Sequence, residues 1–245
     1  MNHPEQVARN IVDLGADQAL QNRSLEWVRD TARHGYSYNF SFLGRPIIQY
    51  PQDMAAMQEI IWQVQPDLII ETGIAHGGSL IFYAAMLELN AACGGPGDAA
   101  VLGIDVDIRP HNRAAIEAHP MFKRISMIEG SSIDATVVER VRQRAQGQQR
   151  VLVCLDSNHT HAHVLAELQA YALMATVGSY CVVFDTIVED LPADMFPDRP
   201  WGPGNNPKTA LREYLATHPE FEIDRRIDHK LLVSVAPNGY LKRIR

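Results

Sequence analysis

Residues 68–79 read LIIETGIAHGGS, an apolar run, an acid, and then a turn carrying three glycines. Leu68–Ile70 has the continuous apolar character of a strand buried on both faces. Ser79–Asn90 continues as an apolar helix. Strand, glycine turn and helix together open a βαβ unit. The rhythm repeats downstream. Val101–Ile104, Ile125–Ile128, Val151–Leu155 and Tyr180–Phe184 are further apolar runs. Arg113–His119, Ala135–Ala145 and Ala162–Thr176 between them carry helical periodicity. Short apolar strands alternating with amphipathic helices predict an α/β fold, a parallel sheet covered by helices on both faces.

Working outward, a helix is expected through Met57, Ile60, Ile61 and Val64, with Asp53 as its cap. The closing segments FEIDRRI, KLLVSV and YLKRI read as antiparallel strands, with a turn at Pro237–Gly239. Residues 4–35 read as helical. Val7, Ile11, Val12 and Leu14 form one apolar stripe, and Leu20, Leu25, Trp27 and Val28 another, punctuated by Gly15 and Gly35. Gly44, Pro46 and Pro51 break residues 36–52 into loop or short strand. The expected division is residues 1–52 as helical cap and lead-in, and 53–245 as the main domain. The N-terminal stripes can cover the site or pack on another subunit.

The chain has 245 residues, 46% hydrophobic and 21% charged, which excludes a disordered or low-complexity protein. A net charge of −7 gives no electrostatic footprint for nucleic acid or an anionic membrane. Cys93, Cys154 and Cys181 have no metal-ligand spacing, and the last two sit in apolar runs, as reduced buried thiols do. The first residues lack a signal-peptide pattern, and no apolar run is long enough to span a bilayer. The expected compartment is the cytoplasm.

In open α/β sheets ligands bind beyond the carboxyl ends of the strands, so the residues after each apolar run are the candidate site. After the first come Glu71, Gly73, His76, Gly78 and Ser79. The spacing is not that of a pyrophosphate cradle, and an acid there attracts an ammonium or sulfonium rather than a phosphate. A tight turn without a ligand is the plainer alternative. Asp105 ends the second run, where an acid commonly binds ribose hydroxyls. Gly130, Ser131 and Ser132 follow the third and can line an adenine pocket, although Ser132 or Asp134 can also cap the next helix. The fourth run ends in Asp156-Ser157-Asn158-His159-Thr160-His161-Ala162-His163, the richest polar cluster in the chain. The fifth ends at Asp185-Thr186, with Glu189 close behind. Asp156 and Asp185 at neighbouring strand tips suit a hard divalent cation such as Mg²⁺; helix caps or ion-paired acids are the alternative. The loop Asp194–Thr209, rich in proline and carrying Trp201, is long enough to serve as a lid.

The blocks ETGIAHGGSL, GIDVD, EGSSID, LDSNHTHAHVLAEL, GSYCVVFDTIVEDLP and RPWGPGNNPKTA, in that order, resemble the cephalosporin hydroxylase family. That family takes in the cephalosporin 7-alpha-methoxylation protein and rhamnosyl O-methyltransferases. The resemblance spans about residues 40–245. It implies a Rossmann-like class I methyltransferase sheet, mostly parallel with an antiparallel C-terminal strand, behind an N-terminal helical segment. It also implies S-adenosylmethionine (SAM), a divalent metal and a homo-oligomer. By position, Glu71–Ser79 holds the methionine end of SAM, Asp105 the ribose, Gly130–Ser132 the adenine, and Asp156 and Asp185 the metal. Similarity to catechol-type O-methyltransferases places the general base at His159, with Asp156 beside it. The methoxylation protein carries Glu-Asp at the end of the fifth strand where this chain has Phe184-Asp185, and catechol-type enzymes carry Asp-Asn where it has Asp185-Thr186. Thr186, a histidine of the cluster, Glu189 or water is then the third ligand.

The expected reaction is O-methylation of a sugar of rhamnosyl type, or of another natural product or glycan bearing a vicinal diol. Tyr36, Tyr38, Phe40, Tyr50 and Trp201 are candidates for stacking on a sugar ring. Two other readings compete. Asp156, His159 and His161 have the residue types of a non-haem iron oxygenase. A non-catalytic SAM-binding partner in a biosynthetic complex is the other.

Overall fold

The computed structural model describes residues 2–245. Helices α1 (His3–Ala16) and α2 (Gln18–Ala32) lead into a small hairpin of β1 (Phe40–Phe42) and β2 (Arg45–Ile47). The α/β succession follows. It runs α3 (Pro51–Val64), β3 (Leu68–Thr72), α4 (Gly78–Ala92), β4 (Ala100–Asp105), α5 (Pro110–Glu117), β5 (Ile125–Glu129) and α6 (Ala135–Ala145). It continues with β6 (Val151–Leu155), α7 (His161–Tyr171), β7 (Tyr180–Val183), α8 (Pro207–Leu215), β8 (Phe221–Ile223), α9 (Arg225–Leu231) and β9 (Tyr240–Arg243).

Among the described residues, β3 to β9 form one sheet in the order β5-β4-β3-β6-β7-β9-β8. β5, β4, β3, β6 and β7 are parallel, and β9 runs antiparallel to both its neighbours. This is the expected mostly parallel sheet with an antiparallel C-terminal strand. β3, β6 and β7 are buried along their whole length. Successive residues point to opposite faces. Ile69, Leu152, Cys154 and Val182 pack with α3 and α4 on one face. Ile70, Val153 and Val183 pack with α6, α7 and α8 on the other. Each such side chain contributes about 1.5–3 kcal/mol by leaving water, which is why these strands carry no polar alternation.

Three sequence expectations are corrected. Asp53 does not cap α3, whose N-cap is Tyr50. Its fully buried carboxylate instead accepts from Ser234 Oγ (2.6 Å), Val235 N (2.9 Å) and Tyr240 Oη (2.7 Å), tying α3 to the C-terminal tail. KLLVSV is not a strand. Asp224 accepts from Arg226 N and starts α9, which takes up Lys230 and Leu231, and Leu232 ends it with φ +63°. The antiparallel finish is β8 against β9, with Phe221 opposite Arg243 and Ile223 opposite Leu241. The helix expected to reach Thr176 stops at Tyr171 and passes into a single 3₁₀ turn, Ala172–Met174.

The sheet order reverses between β3 and β6, and that switch point is where a ligand crevice opens in such folds. The β1–β2 hairpin closes one side of it by packing directly on the start of α4. A Cβ at Gly78 would lie 2.1 Å from Pro46 O and 2.8 Å from Ile47 Cα. Gly78→Ala is therefore expected to lower unfolding stability by about 2 kcal/mol or more in denaturant titration. Gly97→Ala, where nothing lies within 4 Å, should stay within about 0.5 kcal/mol of the parent. Equal stability of the two variants would refute the close packing of the hairpin.

Candidate active site

The crevice is built on strand tips. β3 runs into the glycine loop, and Asp156 N donates to Thr72 O (2.9 Å), so the first residue beyond β6 stands beside that loop. The fit depends on Gly73, whose φ is +91° and whose added Cβ would fall 2.0 Å from Asp156 O. Asp105 holds the loop from the other side. Its Oδ2 accepts from Ile74 N (2.8 Å) and Ala75 N (3.2 Å), and its Oδ1 from Asp107 N (3.1 Å). Asn112 on α5 donates to Ala75 O (2.9 Å), and Arg45 on β2 donates through Nε to His76 O (3.0 Å). The glycines here serve chain packing, and the ligand-facing wall is the loop backbone they allow.

Glu71 is placed differently from the expectation. It lies beneath the loop, fully buried and outside the cavity wall, where its Oε2 accepts from Ser79 Oγ (2.8 Å). Burial pushes its carboxyl up to about 8, against the lowering effect of Ser79 and Tyr83. Glu71 therefore positions Ser79 and touches no ligand space directly.

The cavity above this loop has a volume of about 230 Å³. Gly73, His76, Gly78, Ser79, Asp156, His159 and Asp185 all line it. Asp156, His159 and Asp185 can each bring one ligand atom within 4.8 Å of the others. His159 Nε2 is 3.7 Å from Asp156 Oδ1, and His159 Nδ1 is 3.1 Å from Asp185 Oδ2. Withdrawal from water, and then the neighbouring Asp185 and Glu71, raise Asp156 well above the ordinary carboxylate range. A carboxylate whose charge is disfavoured by a neighbouring carboxylate is suited to a cation between the two. Asp185 itself adopts φ +53°, a left-handed conformation uncommon outside glycine and often seen at functional positions.

The three histidines of the cluster separate. His161 leaves the cavity for α8, with Nδ1 2.8 Å from Thr209 Oγ1 and Nε2 3.1 Å from Glu213 Oε2. The set of two histidines and one carboxylate needed by the oxygenase reading is therefore not assembled. His163 turns into a second cavity, treated below. Thr186, an expected metal ligand, is fully buried and donates to Pro237 O (2.8 Å). Glu189 is engaged as well, accepting from Gly204 N (2.7 Å) and Asn206 Nδ2 (2.5 Å). These bonds, with the Lys208–Asp190 pair, anchor the Asp194–Thr209 loop. Its Trp201 lines the cavity, 5.0 Å from His159 between ring centroids.

Of the other aromatics, Tyr38 lines the cavity, whereas Tyr36, Phe40 and Tyr50 pack edge-on with one another and Trp27. Gln49 and Arg199 line the cavity and were missed in the sequence. Gln49 is 1% exposed and neither of its amide atoms has a partner. Its only sequence signal is a polar residue in an otherwise apolar turn, IIQYP.

The second cavity shares Gly73 and Ser157 with the first. Asp105, Val106, Ser131, Ser132, Asn158 and His163 line the rest of it. Gly130 stands back from this wall, and its missing side chain makes room for Val137. The two cavities adjoin at Gly73 and Ser157, the first lined by Asp156 and Asp185 and the second by the hydroxyls of Ser131 and Ser132.

The family model for rhamnosyl O-methyltransferase/CmcI matches residues 34–244. The chain belongs to this family. The rhamnosyl O-methyltransferase of Mycobacterium tuberculosis is 31% identical over 194 residues, covering 78% of this chain and 73% of that protein. The one from Mycobacterium leprae is 29% identical over 206 residues, covering 83% and 82%. Among solved structures, an apo-structure of CmcI superposes with a TM-score of 0.61 at 20% identity, covering 85% of this chain and 77% of the other. CmcI with Mg and SAM gives 0.59 at 18% identity, covering 85% and 78%. These structures share the methyltransferase fold. With the family established, the chain is a SAM-dependent O-methyltransferase.

Glu71 gives the site a stability signature. Its folded-state value of about 8 lies above the ordinary 4.5. The folded state therefore holds a proton that the unfolded state has lost. Stability is full below pH 4.5 and declines as pH rises towards 8, by up to about 4 kcal/mol from this group. Glu71→Gln, a neutral isostere, should remove that slope and stabilise the protein at pH 8. Urea unfolding across pH 5–8 checks this, and an unchanged slope in the variant would place the titration elsewhere.

Proposed function

We propose that the acceptor is a hydroxyl of a vicinal diol, a sugar of rhamnosyl type first, and that Asp156 and Asp185 hold a divalent cation beside it. The observation that carries this reading is the convergence of Asp156, His159 and Asp185 in a cavity that adjoins the Asp105–Ser132 cavity at Gly73 and Ser157. The names of the mycobacterial relatives support the sugar, and the Mg and SAM of the CmcI structure support the cofactor pair.

The residues present fit both groups. The hydroxyls of Ser131 and Ser132 and the wall at Asp105 suit the nucleoside of SAM, and the loop Gly73–Ser79 runs towards its methionine end. Two aspartate carboxylates facing one space suit Mg²⁺, which prefers oxygen ligands. SAM supplies a methyl group already made electrophilic by its sulfonium. The cation supplies positive charge that makes an adjacent hydroxyl more acidic.

The chain's own residues do the remaining work. Asp185 Oδ2 beside His159 Nδ1 favours the tautomer with its proton on Nδ1, leaving the Nε2 lone pair to accept the acceptor's proton. Trp201 packs on the His159 ring and limits how it turns. Tyr38 and Trp201 offer the cavity's aromatic surfaces to a sugar ring. Asp105 keeps the loop backbone in place while ligands enter.

The test combines labelled SAM, Mg²⁺ and rhamnosides that carry or lack one hydroxyl of the diol. Transfer should need both hydroxyls and stop with EDTA. Transfer to the mono-deoxy sugar at an equal rate would rule out diol chelation. His159→Ala should lower kcat about 10²–10⁴-fold while Mg²⁺ affinity stays as in the parent. Asp185→Ala should lose the Mg²⁺ affinity. If both variants lose it equally, His159 is a ligand and not the base.

Trp201→Ala should raise KM for the acceptor and leave binding of S-adenosylhomocysteine (SAH) unchanged. A stacked aromatic is worth roughly 0.5–1.5 kcal/mol, so the expected rise is about three- to tenfold. An unchanged KM would remove Trp201 from the acceptor site.

A further inference from the structure

His163 sits in the cavity that Asp105, Val106, Ser131 and Ser132 line, away from the two aspartates. Val106 on the same wall is 70% exposed, a large apolar side chain left open where a planar ring can cover it. Three side-chain oxygens surround one nitrogen of the His163 ring. Nε2 lies 3.0 Å from Ser132 Oγ, 3.2 Å from Ser157 Oγ and 3.6 Å from Glu167 Oε1. Glu167, one turn along α7, is fully buried, and its Oε1 accepts from Ser157 Oγ at 2.6 Å.

These contacts favour one position for the ring proton. Ser157 has one hydroxyl proton, and the buried carboxylate takes it in a short, charge-assisted bond. Towards His163 the Ser157 oxygen can only accept, which favours the tautomer in which Nε2 donates, and Ser132 Oγ, whose hydroxyl turns freely, then accepts beside it. The neutral ring then carries its lone pair on Nδ1, which has no hydrogen-bond partner among the described residues. An open acceptor in a nucleoside-sized cavity complements a donor on the base. Adenine offers its exocyclic amino group. Hypoxanthine has a carbonyl oxygen at that position, which meets the Nδ1 lone pair with repulsion. Turning the ring's proton round would leave Nε2 facing the Ser157 oxygen lone pairs with no hydrogen between them.

We infer that His163 is a specificity-determining residue that reads the amino edge of the cofactor's adenine, with its tautomer set by Ser157 and Glu167. The inference rests on the nucleoside end of SAM occupying this cavity. It separates His163 from His159, which faces the metal and acceptor end of the crevice.

The test is calorimetric and needs no turnover. SAH and S-inosylhomocysteine, which differ only in the base, are titrated into the parent, His163→Leu and His163→Asn. The parent should prefer SAH by about tenfold or more, the value of one good hydrogen bond of about 1.4 kcal/mol. His163→Leu should bind SAH about tenfold more weakly, with little change for the inosyl analogue, so that the preference collapses. His163→Asn, which keeps an acceptor oxygen, should recover part of the preference, and it carries the test if the leucine variant does not fold. Equal weakening of both ligands in His163→Leu would make the residue a packing element and overturn the inference. So would a parent that does not discriminate, or a preference that survives the substitution. A parent that binds neither ligand would instead refute nucleoside binding in this crevice.

Discussion

The approach of Gly73 to the main chain of Asp156 is the constraint on which the site depends. The sheet order reverses between β3 and β6, so the connections leaving these neighbouring strands go to opposite sides. A carbon at Gly73 would lie 2.0 Å from Asp156 O and force the two strand ends apart. With only hydrogen there, the glycine loop and the Asp156 turn form one wall, and Gly73 and Ser157 border both cavities. The β6–β7 pairing then does the rest. Leu155 stands opposite Val183, which brings the residues just beyond, Asp156 and Asp185, to adjacent tips.

Burial and partners divide the strand-end acids into different roles. Asp105 spends its oxygens on three backbone N–H groups and acts as a clamp on the loop. Glu71 is sealed under that loop with a raised carboxyl, so it adds little negative charge to the crevice at neutral pH. Asp53, also raised by burial, to about 6, joins α3 to the tail. Asp156 and Asp185 alone of these line the cavity and face each other across an imidazole. The net charge of −7 therefore says little about ligand charge until the burial of each acid is known.

The parallel strands and their tips were legible in the sequence because a strand buried on both faces must be apolar throughout, and its end is marked by the first polar residue. That logic found Asp105, Asp156 and Asp185. It failed where direction is set by partners distant in sequence. HTHAH looks like a single cluster, yet His161 is drawn to Thr209 and Glu213 on α8 and His163 to Ser132 beyond β5. Thr186 looked like a ligand because it follows Asp185, but the left-handed backbone at Asp185 carries the chain inward to Pro237. KLLVSV has the composition of a strand and was overruled by the Asp224 cap.

The crevice has two walls of different origin. One wall is made of strand ends and loops locked by backbone hydrogen bonds and close chain contacts. The opposite wall comes from residues 38–49 and from Arg199 and Trp201, segments outside the repeating strand–helix pattern. Each is fixed to the scaffold at a few points, Arg45 to His76 O in the first, and Glu189 to Asn206 and Asp190 to Lys208 in the second. Irregular segments tied down at their ends accept changes at their tips without disturbing the sheet. Tyr38 and Trp201 can thus vary while Asp156, His159 and Asp185 stay in place, which under the proposed function lets acceptor choice change without the chemistry. Trp201 joins the two walls, because the ring that lines the cavity also packs against the His159 imidazole.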